Sequence, residues 1–327
     1  MYNIKQIAQM AGVSVSTVSR VINNHPYVNE QKRAEILNII KQFNYLPNSN
    51  AIHLVTGKTN VIGVILPLVS NHYYNSILAG IAQQATRHNY YLMVCQTDYR
   101  ADKELEVLEM LKMKKMDGVI MCAHLNEYEA IEPYTQFGPI VTCEMTNSER
   151  ISSVYTDHYR NFLMGMNVLI EKGHCHIGYC IGRADSLNSR HRRRAYFDAM
   201  QRIEVAPAAA WAFEGCITFQ DGSEVVDKWQ HMQPQTRPTA LLTACTHIAA
   251  GIVTAAKKRG IDIPRDLAVV GCDDQQTGEL LDITTVTNSS REIGEQAFDL
   301  LHAQLINKAQ VITKQELRPQ LRERLST

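Results

Sequence analysis

The chain lacks net charge, long apolar runs and paired cysteines, and each absence removes a class of protein. Its 33 Lys and Arg are matched by 33 Asp and Glu, so overall charge singles out no partner. No uninterrupted apolar stretch approaches the ~18 residues of a membrane span. The longest, 61–69, contains Gly63 and Pro67. The opening MYNIKQIAQMAG has no basic-then-apolar shape of a secretory signal. The eight cysteines (Cys95, Cys122, Cys143, Cys175, Cys180, Cys216, Cys245, Cys272) fall singly, with no C-x-x-C pair. Most lie within apolar runs, where a reduced thiol behaves as a small hydrophobe. The expectation is a soluble, cytoplasmic protein without membrane contact, disulfide framework or cofactor. Also missing are a G-x-S-x-G elbow, a Walker sequence and a G-x-G-x-x-G after a strand. No enzyme is expected.

What is present has a clear organisation. At ~150 residues per domain the length predicts about two domains. The apolar fraction of 45% is that of a globular protein. Residues 1–60 carry Lys5, Arg20, Lys32, Arg33, Lys41 and Lys58 against only Glu30 and Glu35. The remaining residues offset that positive surplus, which makes a small basic head on a mildly acidic body. Such asymmetry points to nucleic-acid binding by the head.

Within the head, apolar residues at Ile4, Ile7, Ala8, Met10 and Ala11 have helical spacing, and Gly12 ends that helix. Ser14 is a good N-cap for a second helix, whose buried stripe is Val18, Val21 and Ile22. Its other face presents Ser16, Thr17, Ser19 and Arg20. Two short helices around a glycine turn form a helix-turn-helix. The second must enter a major groove about 12 Å wide, so compact donors suit its exposed face. An ordinary helical hairpin with a solvated face has the same glycine turn, and the basic balance argues against it.

The string I-x-x-I-A-x-x-A-G-V-S-x-x-T-V-S-R-V-I-N-N, from Ile4 to Asn24, strongly resembles the DNA-binding head of the lactose-repressor (LacI/GalR) family. The resemblance continues through Val28, a third helix near 31–43, and Asn44-Tyr45-Leu46-Pro47-Asn48. It implies that Val15, Ser16 and Arg20 touch base edges, with Arg20 the natural partner of guanine O6 and N7. Thr17, Ser19, Asn23, Tyr27 and Tyr45 resemble the phosphate-positioning set, which fixes register without reading sequence. Ser14 accompanies them. Residues 47–58 read alone as a linker; the resemblance makes them a hinge helix formed on DNA, with Leu54 as a minor-groove wedge and Asn48 and Ala51 beside it.

From Val61 onward short apolar runs alternate with helical patterns. Strands are expected at 61–66, 91–95, 118–121, 140–143, 176–180, 240–243 and 267–271. Helices are expected at 75–89, 102–114, 160–172, 192–202, 222–231 and 248–259. This alternation argues for parallel sheets with helices on both faces, and its length fits two doubly wound lobes. A ligand would then lie in the cleft at the carboxyl ends of the strands. The resemblance extends here too, through Ile62-Gly63-Val64, Gly173-His174, Val270-Gly271-Cys272-Asp273-Asp274 and the tail from Leu317 to Ser326. It implies a body of the periplasmic-binding-protein type. The expected division is a head at 1–46, a linker at 47–60 and a two-lobed, dimerising body at 61–327.

By the same resemblance, the effector residues are Tyr73, Tyr74, Asp157, Arg192, Ile217, Thr246, Asp273 and Asn288. A sugar needs bidentate donors and acceptors plus a flat apolar wall; Arg192 with Asp273 would supply the first and Tyr73 or Tyr74 the second. Three departures weaken the match to a hexose. Cys245-Thr246 stands where the family has Asn-Asp, Ile217 where it often has an aromatic, and Ala195 where it has Gly. His174-x-His176 could place two imidazoles on one strand face, but no third ligand has the spacing, and no metal is expected. The run Arg190-His191-Arg192-Arg193-Arg194 looks like a nucleic-acid patch, yet is expected to open a helix at the cleft. The function implied is a homodimeric transcriptional regulator, usually a repressor, that binds double-stranded operator DNA under control of a small sugar. The alternative is a body that answers to a phosphorylated carrier protein, as in the catabolite-control branch.

Overall fold

The computed structural model describes residues 2–22, 25–45, 57–273, 275–307 and 311–327. Asn23, Asn48, Ala51, Leu54 and the expected hinge helix lie outside the described residues. The chain divides into two compact units, Met1–Thr59 and Asn60–Thr327.

The first unit is helical. α1 (Ile4–Met10) starts in a capping box in which Asn3 and Gln6 satisfy each other's backbone N–H. Gly12 then turns the chain at φ +60°, a conformation that favours glycine. The Ser14 hydroxyl accepts the Thr17 N–H at the start of α2 (Val15–Ile22). Asn29 caps α3 (Glu30–Gln42). Ile7, Ala8, Ala11, Val18, Val21, Ile36 and Tyr45 form one core. The expected helix-turn-helix and third helix are therefore both present.

The second unit consists of two parallel-sheet α/β lobes. The first lobe takes β1 (Val61–Leu66), α4 (His72–Arg87), β2 (Tyr91–Gln96), α5 (Ala101–Lys112) and β3 (Gly118–Met121). It continues with α6 (Tyr128–Ile131), β4 (Ile140–Thr142) and β5 (Ser152–Tyr155). The second lobe opens with α7 (His158–Glu171), β6 (Ile177–Cys180), α8 (Leu187–Arg202), β7 (Ala212–Phe213) and α9 (Phe219–Gln230). It goes on through β8 (Ala240–Thr243), α10 (Thr246–Lys258), β9 (Ala268–Cys272), α11 (Gln276–Leu280) and β10 (Thr284–Val286). The chain then returns to the first lobe for α12 (Ser290–Ile306) and β11 (Lys314–Glu316), and ends in the second with β12 (Leu321–Arg322). The strand orders are β11-β5-β4-β3-β1-β2 and β12-β10-β9-β8-β6-β7. Pairing is parallel apart from β12 on β10.

Three connections thus join the lobes, and one side chain touches all of them. The Thr156 hydroxyl lies 2.9 Å from the Asn288 carbonyl and 3.4 Å from that of Leu317. Leu317 N–H in turn donates to the Tyr155 carbonyl at 2.8 Å. Asn161 adds a bond from Nδ2 to the Thr287 carbonyl at 3.0 Å.

Close helix crossings hold each lobe together. A Cβ on Gly80 of α4 would strike the Arg291 carbonyl of α12, and one on Gly294 would strike that of Ile77. Gly222 of α9 and Gly251 of α10 face each other the same way in the second lobe. Gly294→Val should therefore lower unfolding free energy by about 1–3 kcal/mol, since the helices must separate to admit it. Urea denaturation checks this; an unchanged midpoint would mean that the crossing yields freely.

Candidate functional site

On α2 the buried stripe of Val18 and Val21 turns the opposite face outward. Val15 is 39% exposed there, and Ser16 and Arg20 are exposed beside it. Thr17 and Ser19 are half-buried at its margin. Ser14 Oγ also lies 2.8 Å from Ser16 Oγ and 2.9 Å from Thr17 Oγ1, which fixes the first turn. Tyr27 stands out at 86% exposure. Tyr45 differs from the rest of the expected set, because its ring is packed in the head's core. Its first role is structural.

In the second unit, the carboxyl ends of both sheets face a cavity of about 620 Å³. The first lobe contributes Tyr73 and Tyr74 from the start of α4, Tyr99 after β2, His124 after β3 and Glu144 after β4. The second contributes Arg183, Asn188, Arg192, Ile217, Cys245, His247, Asp273 and Gln275. His158 and Asn288 line it close to the interlobe connections. The lobes also touch across it. Asn188 Nδ2 donates to Glu144 Oε1 at 3.1 Å, the Arg183 guanidinium lies 4.2 Å from the Tyr99 ring centre, and the His72 and His247 rings are 4.5 Å apart.

The charged groups here are constrained by their neighbours. Burial pushes the Asp273 carboxyl up to about 7, although Thr246 N–H donates to Oδ1 at 2.8 Å and Arg192 favours the ionised form. Gln275 Nε2 donates to the other oxygen at 3.1 Å. Burial also raises the Glu144 carboxyl, against the opposing pull of His124 and Asn188. Arg192 Nη2 lies 3.2 Å from His158 Nδ1. Burial, then the nearby Arg192 charge, hold His158 well below its ordinary range. A guanidinium can only donate, so His158 accepts through Nδ1 and carries its proton on Nε2. The Tyr73 and Tyr74 hydroxyls stay protonated because burial opposes their ionisation. The cavity therefore offers a fixed cation, a carboxyl that titrates near neutrality and two neutral phenols.

Of the effector residues expected from sequence, Tyr73, Tyr74, Arg192, Ile217, Asp273 and Asn288 come together on the cavity wall. Two do not. Asp157 caps α7, accepting the Tyr159 and Arg160 N–H groups, and pairs with Arg160 at 3.4 Å. Thr246 is fully buried behind Asp273; its hydroxyl donates to the Cys272 carbonyl at 2.9 Å and contacts that of Asp273. Asn288 has a double role, since Asn161 Nδ2 holds its side-chain oxygen at 2.5 Å. Sequence reasoning missed Tyr99, His124, Glu144, His158, Arg183 and Asn188. Four of them, Tyr99, His124, Glu144 and Arg183, lie just beyond a strand's carboxyl end, a position that marks the cleft in such sheets. The arginine run does open onto the cavity through Arg190 and Arg192. Arg193 pairs with Glu214 and Arg194 with Asp198. His174 bonds Thr239 and His176 packs on Trp211.

A helix-turn-helix head joined to two doubly wound lobes around a ligand-sized cleft defines a class: DNA-binding regulators with a periplasmic-binding-protein type of body. Residues 3–48 match the family described as bacterial regulatory proteins, lacI family. Residues 166–327 match the periplasmic binding protein-like domain. The chain is 37% identical to the HTH-type transcriptional regulator YkvZ of Bacillus subtilis (strain 168), over 93% of this chain and 94% of that one. It is 33% identical to catabolite control protein B of the same organism, over 92% and 94% of the two chains. The Lac repressor, solved as a dimer bound to operator and the anti-inducer ONPF, superposes with a TM-score of 0.85 at 25% identity, over 100% of this chain and 99% of that one. The chain belongs to the lacI family of bacterial regulatory proteins. It is a DNA-binding transcriptional regulator, in a family of regulators rather than enzymes, and among the described residues no helix is long and apolar enough to cross a membrane.

Proposed function

We propose that the protein is a cytoplasmic, homodimeric repressor of carbohydrate uptake or breakdown genes, with operator affinity set by a sugar or sugar derivative in the interlobe cavity. The cavity carries this reading: it is about 620 Å³, lined from both lobes, and brings Arg192 and Asp273 together with Tyr73 and Tyr74. That size suits a mono- or disaccharide, with directional polar groups and aromatic rings in the same wall. Val15, Ser16 and Arg20 read base edges; Ser14, Thr17, Ser19, Asn23 and Tyr27 position the phosphates; and 47–60 acts as the linker, with Asn48, Ala51 and Leu54 at the minor groove. Two heads in a homodimer read the two halves of a palindrome.

The test is a thermal-shift screen of the full chain against neutral sugars and sugar phosphates, since a ligand that binds only the native state raises Tm. A phosphorylated carrier protein is titrated in parallel, because a protein partner is the second reading and a relative named catabolite control protein B is 33% identical to this chain. Stabilisation by the carrier and by no sugar would give that reading the lead.

Ligand affinity should depend on pH. A sugar hydroxyl donates best to an ionised carboxylate, and Asp273 loses its proton at about 7. Affinity should therefore rise between about pH 6 and pH 8 and level off above. Isothermal titration across that interval checks it, and Asp273→Asn should flatten the curve. A flat wild-type curve would remove Asp273 from ligand contact.

A further inference from the structure

The cysteines gather where the ligand cavity lies. Cys180 ends β6, Cys216 follows β7, Cys245 follows β8 and Cys272 ends β9, so four neighbouring strands of the second lobe each finish on a thiol. Two of these thiols form a pair. Cys180 lies opposite Phe213 in the β6–β7 register. The chain beyond β7 then bends back, with Cys216 N–H donating to the Ile181 carbonyl at 3.0 Å and the Cys216 thiol donating to the Phe213 carbonyl at 3.6 Å. Cys180 and Cys216 belong to one apolar cluster at these adjacent strands. Cys216 also lines the cavity, whereas Cys180 is fully buried behind it.

We propose that Cys216 and Cys180 form a peroxide-oxidisable dithiol in the cavity wall, Cys216 as the attacking sulfur and Cys180 as the resolving one. The geometry assigns the roles, because of these two thiols only that of Cys216 lines the cavity an oxidant would enter. The acid–base environment agrees. The neighbouring Cys180 lowers the Cys216 thiol, with Lys228 assisting and burial, Asp221 and Glu224 opposing, while burial foremost holds Cys180 well above its ordinary range. The thiolate is the nucleophile.

The Cys216 thiolate attacks one oxygen of a hydroperoxide, forming an S–O bond as the O–O bond breaks, and the departing alkoxide or hydroxide takes up a proton. Cys180 sulfur then attacks the sulfenic sulfur. An S–S bond forms, the S–O bond breaks, and the hydroxyl leaves as water with the Cys180 proton. Two thiols lose two electrons and one peroxide is reduced, with no other reactant. Neighbouring thiols lack one condition or another. Cys245 lines the cavity, but burial pushes it up to about 12. Cys122 and Cys143 are buried and do not line the cavity. Cys175 is exposed and has no thiol partner among the described residues.

The experiment treats the reduced full-length protein with equimolar hydrogen peroxide, blocks remaining thiols and maps the peptides. The expected product is a Cys180–Cys216 cross-link that dithiothreitol reverses. Cys180→Ser should instead leave a sulfenic acid at Cys216 that dimedone traps, and Cys216→Ser should abolish the cross-link. Oxidation confined to Cys175, or a wild-type protein with Cys216 still reduced, would overturn the proposal without involving any variant.

Discussion

Arg192→Ala should weaken binding of the cavity ligand by about 2–5 kcal/mol, roughly thirty-fold to several thousand-fold. Arg192 carries the charge that favours Asp273 ionisation, and its guanidinium lies 3.2 Å from a neutral His158. Losing it removes a charged donor from the ligand and leaves His158 Nδ1 without that donor. It also removes a charge that favours Asp273 ionisation, so the pH curve of any remaining binding should move upward. The global fold should survive, because the partner left behind is uncharged. Isothermal titration with a ligand from the sugar screen reads the loss, and circular dichroism checks the fold. An Arg192→Ala protein that binds as tightly as the wild type would place the ligand elsewhere.

Arg20→Ala should cost about 1–3 kcal/mol per half-site and relax base preference at one position in each. Arg20 is exposed on the polar face of α2, one helical turn beyond Ser16, and the buried Val18 and Val21 hold that face outward. A bidentate guanidinium contact distinguishes guanine from the other bases, so its removal affects some sequences far more than others. A phosphate contact would weaken all duplexes alike. Selection of binding sites from random duplexes, followed by titration of single-base variants with both proteins, separates the two. Equal losses on every duplex would make Arg20 a phosphate contact.

The head was legible in sequence almost to the residue, because a glycine turn, a serine cap and a narrow apolar stripe each leave a local mark. Strong buried strands were legible for the same reason: 61–66, 118–121 and 240–243 coincide with β1, β3 and β8. Weaker elements were not. β5 opens on two serines, β10 on two threonines and β11 is Lys-Gln-Glu, while β7 and β12 have two residues each, so none presents the apolar run that marks β3 and β8. α12, 17 residues long, is absent from the expected helices although its buried Ile293, Gly294, Ala297, Phe298 and Leu301 keep helical spacing without interruption. The observed helices start earlier than their apolar periods: α8 begins at Leu187 rather than 192, since Ser186 caps a first turn in which Leu187 is the single apolar residue. The cavity was legible where single side chains carry the chemistry, as with Arg192 and Asp273. It was not legible where function depends on pairing across lobes, as with Glu144 and Asn188, which are 44 positions apart. Asp157 and Thr246 show the converse, since a carboxylate and a hydroxyl beside the cleft were already engaged by backbone and neighbours.

Under the proposed function, the cavity controls the head. A ligand changes operator affinity only through different affinities for two arrangements of the lobes. The three interlobe connections held at Thr156, and the contacts across the cleft at Glu144–Asn188, Tyr99–Arg183 and His72–His247, are the parts such a ligand would bias. The most direct measurement is an operator titration by fluorescence anisotropy, with and without the cavity ligand, for the wild type and Arg192→Ala. The ligand should shift wild-type operator affinity, while the variant should bind ligand-free operator within about 1 kcal/mol of the wild type, as expected of distant sites, and show no shift at the same ligand concentration. A variant that responds like the wild type would contradict control by the cavity.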